Sequence, residues 1–143
     1  MSQLREIRTS LEVGFPEGAL PEAFVRFQGK QTRSIGAVAE FPYEDGQFDV
    51  VLMDGSAVSA KAVREAHRVL KAEGRLFFKV PERTKEQGGY TLPDIYKIVR
   101  EGFNITEVTR PGWWFFGSRG KTISICATKK AWKTVTNTYR PYV

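Results

Sequence analysis

The sequence predicts one α/β domain whose sheet is parallel at its centre and closes on an antiparallel strand pair, and three observations carry that reading. FDVVLM at 48–53 is continuously apolar over Val50, Val51, Leu52 and Met53, which suits a strand buried on both faces, as parallel strands in α/β sheets are. Ala62, Val63, Ala66, Val69 and Leu70 follow at helical spacing, with Lys61, Arg64, Arg68 and Lys71 turned away, an amphipathic helix that ends at Gly74. RLFFKV then reads as a second buried strand, so 48–80 form a β-α-β unit with parallel strands and a right-handed crossover.

The remaining elements fall in place around that unit. TSLEV at 9–13 forms a short strand, and the turn GFPEG leads to Leu20, Ala23, Phe24 and Phe27 at helical spacing. Pro21 fits a first helical turn, where amide hydrogens lack partners in any case. A segment near 33–37 is a further strand, and EFPYEDGQ is a turn-rich loop. After the polar loop PERTKEQGGY, Thr91 with Asp94 three residues on makes a capping box, and Ile95, Ile98 and Val99 supply a buried helical face that stops near Gly102. FNITEVT and TISICAT are the closing strands, with Ile123, Ile125 and Ala127 alternating with Thr122, Ser124 and Cys126. These boundaries give a domain at 1–128 and a C-terminal extension at 129–143.

Composition narrows the function classes. The chain has 143 residues, the common size of a single domain, with 41% hydrophobic and 27% charged residues, a globular balance. No apolar run approaches the roughly 20 residues of a membrane-spanning helix, and MSQLREIRTS lacks the apolar core of a signal peptide, so the expected location is cytoplasmic. One cysteine, Cys126, and one histidine, His67, leave no internal disulfide and no Cys/His metal site. Cys126 is expected in the core and His67 at its edge, on the flank of the apolar helical face. The net charge of +6 favours anionic partners only where basic residues cluster, and here they are spread along the chain.

FPYEDGQFDVVLMDG followed by REAHRVLKAEGRLFFKVP resembles the latter part of the class I S-adenosylmethionine-dependent methyltransferases, of the type 11-like kind. In that family a phrase of the type LPF-x-DGSFDVV opens the fourth strand and RVLKPGG closes the following helix. Here they stand as Phe41 to Val51 and Arg68 to Gly74, with Ala72 and Glu73 replacing the proline and the first glycine. The resemblance implies a three-layer Rossmann-like sheet with a cofactor site at the carboxyl ends of its first strands. Both phrases also have plain structural jobs, Asp45-Gly46 as a turn and Gly74 as a left-handed helix stop.

The amino-terminal half departs from the pattern. The family's first motif is an acidic residue followed by alternating glycines, and in LEVGFPEG the matching positions are Glu12, Gly14 and Gly18, with Pro16 where the middle glycine would stand. Proline lacks an amide hydrogen and carries a ring into a place of close approach. The stretch 19–35 holds one helix and one strand of average length, so the sheet is expected in reduced form, without the family's second strand and its helix. The acidic residue that holds the ribose hydroxyls then has no counterpart, and Ala37 replaces the aspartate on the adenine side. An exposed sheet edge at that gap predicts a homodimer pairing those edges.

The resemblance therefore places S-adenosylmethionine, where binding is retained, against Glu12, Gly14, Gly18 and Asp54. Asp54 follows the strand FDVVLM at the edge where the family puts groups near the transferring methyl; the alternative is an ordinary turn in MDGS. RPGWWFFGSRGK joins the last two strands at the same edge, and Trp113, Trp114, Phe115, Phe116 and Arg119, with Arg110 and Lys121, form either a stacking platform for a substrate or partner or an apolar cap on the sheet. Two readings follow: a reduced methyltransferase acting on a small molecule or nucleic acid, and an inactive methyltransferase-fold module that binds a protein or nucleic acid through 110–121.

Overall fold

The computed structural model describes residues 7–15, 20, 22–25, 27–83, 88–109 and 122–130. Its sheet has six strands: β1 (Thr9–Val13), β2 (Gln31–Ile35), β3 (Phe48–Met53), β4 (Leu70–Pro81), β5 (Phe103–Thr109) and β6 (Thr122–Lys129). Their order is β2-β1-β3-β4-β6-β5. The first four are parallel, and β6 runs antiparallel to both neighbours. The helices are α1 (Glu22–Val25), α2 (Ala60–Val69) and α3 (Leu92–Val99), with a 3-10 turn at Gly55–Ala57. None of the described helices is long and apolar enough to cross a membrane.

Strand alternation divides the core. Leu11, Val13, Val51, Met53, Leu76, Phe78, Val80, Ile123, Ile125 and Ala127 point to the face covered by α2 and α3, where Ala62, Val63, Ala66, Val69, Ile95 and Val99 meet them. Val50, Leu52 and Phe77 point the other way, to a smaller cluster under Phe24 of α1 and Phe27. Phe27 stacks on Phe77 with ring centroids 3.6 Å apart. Beyond that cluster the same face continues as Arg75, Lys79, Thr122, Ser124 and Thr128, half-buried, with no described helix over it.

Several predicted elements shift. The helix expected to reach Gly74 stops at Val69, because Leu70 is already extended and pairs with Phe48. The residues between Leu70 and Arg75 form an irregularity in that pairing. The left-handed residue there is Glu73, with φ of 65°, rather than Gly74. Gly74 is needed for space, since a Cβ would lie 2.8 Å from the Lys71 carbonyl oxygen. Between 19 and 35 there are one short helix and one strand, as the length demanded; the strand occupies 31–35 instead of 33–37 and lies directly on β1. Cys126 is half-buried beside Phe77, on the face opposite Ile125, not within the main core. The Thr91–Asp94 capping box forms, with α3 ending at Val99, and Gly46 takes the left-handed conformation its turn needs, φ 64°.

Candidate functional site

The strand order locates the site. The chain leaves β1 for β2 on one side and returns across β1 to β3 on the other. The crevice between the carboxyl ends of β1 and β3 is thus the topological switch point, where open α/β sheets bind ligands. Gly14 follows β1 with φ of 86°, and its N–H donates to the Ile35 carbonyl at 2.9 Å. A Cβ there would stand 2.9 Å from Ala57 Cβ, 3.4 Å from Asp54 Cβ and 3.7 Å from Ala37 Cβ. Backbone conformation and space both require glycine.

Asp54 faces Gly14 across the crevice. Its N–H donates to the Val13 carbonyl at 2.9 Å, which ties the ends of the two strands together. Its Oδ2 accepts the Ser56 N–H at 3.1 Å and the Ser56 hydroxyl, capping the 3-10 turn. Oδ1 receives no hydrogen bond from any described residue. Two further contacts fix this rim. A Cβ on Gly55 would lie 2.6 Å from the Lys79 carbonyl oxygen, so the turn sits directly on β4. The Tyr90 hydroxyl donates to the Val58 carbonyl at 2.8 Å.

Glu12 is placed differently from its neighbours in the motif. It points to the α1 face, is 9% exposed, and its carboxylate accepts from Gln28 Nε2 at 2.6 Å and Ser34 Oγ at 3.4 Å. It therefore holds the β1-α1-β2 connection together. The residues just past β2 are Gly36 and Ala37, which bring no carboxylate to the crevice. Gly18, Arg110, Trp113, Trp114, Phe115, Phe116, Arg119 and Lys121 lie outside the described residues.

Sequence reading assigned Arg68 to the solvent face, whereas it clamps residues 41–45 of the crossover from β2 to β3. Its guanidinium donates to the carbonyls of Phe41 and Tyr43 at 2.9 and 2.8 Å, and to Asp45 and Glu65. Glu65 in turn accepts the Phe41 N–H at 2.9 Å. The bonds from Glu65 and Asp45 raise the Arg68 pKa further above its ordinary value, and the Arg68 hydrogen bond holds Glu65 below the usual carboxylate range. The signal was present in the RVL phrase, but only the tertiary return of 41–45 onto α2 reveals the clamp.

His67 takes no part in the crevice. Its ring stands edge-on to Phe103, with centroids 5.5 Å apart. Burial, with the nearby Lys129 ammonium, pushes its pKa down to about 4.

Residues 11–78 match the family model described as a methyltransferase domain. A comparison with curated proteins gives no match. Among solved structures the fold is similar to that of the N-methyltransferase NodS from Bradyrhizobium japonicum, in complex with S-adenosyl-L-homocysteine, at a TM-score of 0.67 and 12% identity over 88% of this chain and 80% of that one. The 1,6-didemethyltoxoflavin-N1-methyltransferase of Burkholderia thailandensis, with bound S-adenosylhomocysteine, gives 0.65 and 14% over 88% and 72%. A SAM-dependent methyltransferase from Methanosarcina mazei gives 0.60 and 14% over 88% and 94%. The matched segment runs from β1 into β4, and the solved structures extend the likeness through β5 and β6: the chain has the methyltransferase fold, in a form shortened in its amino-terminal half.

Proposed function

We propose that the chain binds S-adenosylmethionine in the crevice between Gly14 and Asp54 and is a reduced methyltransferase with a weakened cofactor site. The observation that carries this is the juxtaposition of a left-handed glycine at the end of β1 with a carboxylate at the end of β3, tied by the Asp54 N–H to the Val13 carbonyl. Gly14 and Asp54 fit the family's use of this edge. Gly14 allows close backbone approach, and the unengaged Oδ1 of Asp54 can orient a hydroxyl, an amine or an ammonium group. Bound there, the sulfonium supplies an electrophilic methyl group, and a positioned acceptor needs little further catalysis.

The ribose side fits less well. Glu12 is committed to Gln28 and Ser34, and the two residues directly after β2, Gly36 and Ala37, carry no carboxylate. The same observation favours a second reading, a methyltransferase-fold module that binds a protein or nucleic acid without the cofactor. Calorimetry and NMR titration with S-adenosylmethionine and S-adenosylhomocysteine separate the two. Saturable binding with shifts at Gly14, Ala37 and Asp54 supports the first, and the Asp54→Asn variant then weakens it. Absence of any shift at millimolar ligand overturns the first reading in favour of the second.

A further inference from the structure

A second cavity, of about 220 Å³, opens between α2 and α3 at the edge of the sheet opposite the crevice. Its walls are Val63 and His67 from α2, Ile98 from α3, and Gly102 and Phe103 at the start of β5. Gly102 lets β5 pack directly on His67, since a Cβ there would lie 2.7 Å from His67 Cδ2. The volume exceeds the roughly 150 Å³ that suffices for a benzene ring in an apolar protein cavity. Half-buried Ile98 supplies its apolar wall, and Val63 and the Phe103 ring, 2% and 1% exposed, lie at its floor.

Two opposite charges complete the lining, Arg64 on α2 and Glu101 just past α3, both exposed. Neither has a hydrogen-bond or ion-pair partner among the described residues. One free cation and one free anion beside an apolar hole complement a zwitterion with an apolar tail better than either a simple acid or a simple amine. We infer that this cavity is a binding site for an α-amino acid with a phenyl-sized side chain. The ring enters between Val63, Ile98 and Phe103, the carboxylate meets Arg64, and the ammonium meets Glu101. The site is separate from the crevice and does not depend on cofactor binding there.

The test is a ¹H–¹⁵N NMR titration of the full chain with four probes: L-phenylalanine, 3-phenylpropionate, phenethylamine and toluene. L-Phenylalanine is expected to give saturable shifts at Val63, His67, Gly102 and Phe103, with each half-molecule about tenfold weaker. Arg64→Gln should remove the advantage over phenethylamine, and Glu101→Gln the advantage over 3-phenylpropionate. Both side chains are exposed and unbonded, so neither substitution threatens folding. Toluene binding as tightly as L-phenylalanine, unchanged binding in the Arg64→Gln/Glu101→Gln variant, or no shifts at the solubility limit would each overturn the proposal.

Discussion

The two flanks of the sheet are built to different standards. On one side β3, β4 and β6 sit under α2 and α3, with Val51, Met53, Leu76, Phe78, Ile123 and Ala127 removed from solvent. On the other, β2 presents Gln31, Thr32, Arg33 and Ser34 to water, and the helix that precedes it has four residues. The candidate crevice spans the seam, taking Asp54 from the strong flank and Gly14 and Ala37 from the weak one. Fold stability and ligand affinity should therefore respond to different residues.

The largest expected effect tests the strong flank. Phe78→Ala should lower the unfolding free energy by about 3–5 kcal/mol, read from the denaturant midpoint, because the ring is fully buried and its cavity cannot collapse. Arg33→Ala on β2 should change it by under about 0.5 kcal/mol. Comparable losses for the two would erase the distinction.

The second effect is a pH dependence seated on the strong flank. The unfolded chain takes up a proton at His67 near its ordinary pKa, while the folded one resists until about 4. Between those values the unfolded state binds more protons, so stability falls as pH drops from about 6.5 toward 4. The loss approaches roughly 2–3 kcal/mol. Thermal melts of His67→Gln across that range should lack this component, although carboxylates such as Glu65, held low by Arg68, add their own loss at lower pH. An identical profile in the variant would place the titration elsewhere.

Gly14→Ala sharpens the comparison at the seam. The left-handed backbone and the 2.9 Å approach to Ala57 Cβ should cost about 1–2 kcal/mol. Binding of S-adenosylmethionine should be abolished while β4 and β6 keep their amide protection. A smaller loss belongs to Glu12→Gln, which weakens the bonds to Gln28 and Ser34 by about 1 kcal/mol. Hydrogen exchange should quicken in 27–35 and leave 70–81 unaltered; uniform acceleration would mean that the flanks open together.

The same contrast governs how much was legible in the sequence. The strong flank announces itself through continuous apolar runs and a helical stripe, and the β-α-β unit, the capping box and the closing antiparallel pair all follow. The boundary at Leu70 was hidden because that residue continues the helical apolar stripe and equally suits a buried strand. β2 lacks any apolar alternation, so its register was set only by its neighbour β1. Glu12 reads as a cofactor ligand in the motif, and its bond to Gln28, sixteen positions on, is a tertiary partnership of the short β1-α1-β2 unit that the motif does not reveal. Gly14 and Asp54, whose positions depend on strand ends alone, stand together at the edge where the sequence pattern puts them.

The row of Arg75, Lys79, Thr122, Ser124 and Thr128 on the half-face that no described helix covers has a consequence for assembly of the fold. A nascent sheet of β3, β4, β6 and β5 can form against α2 and α3 before α1 settles on Phe77, because most of the face left open presents hydroxyls and cations to water. In such a partly built sheet the apolar surface awaiting α1 is confined to Val50, Leu52 and Phe77, which limits the surface through which folding intermediates aggregate.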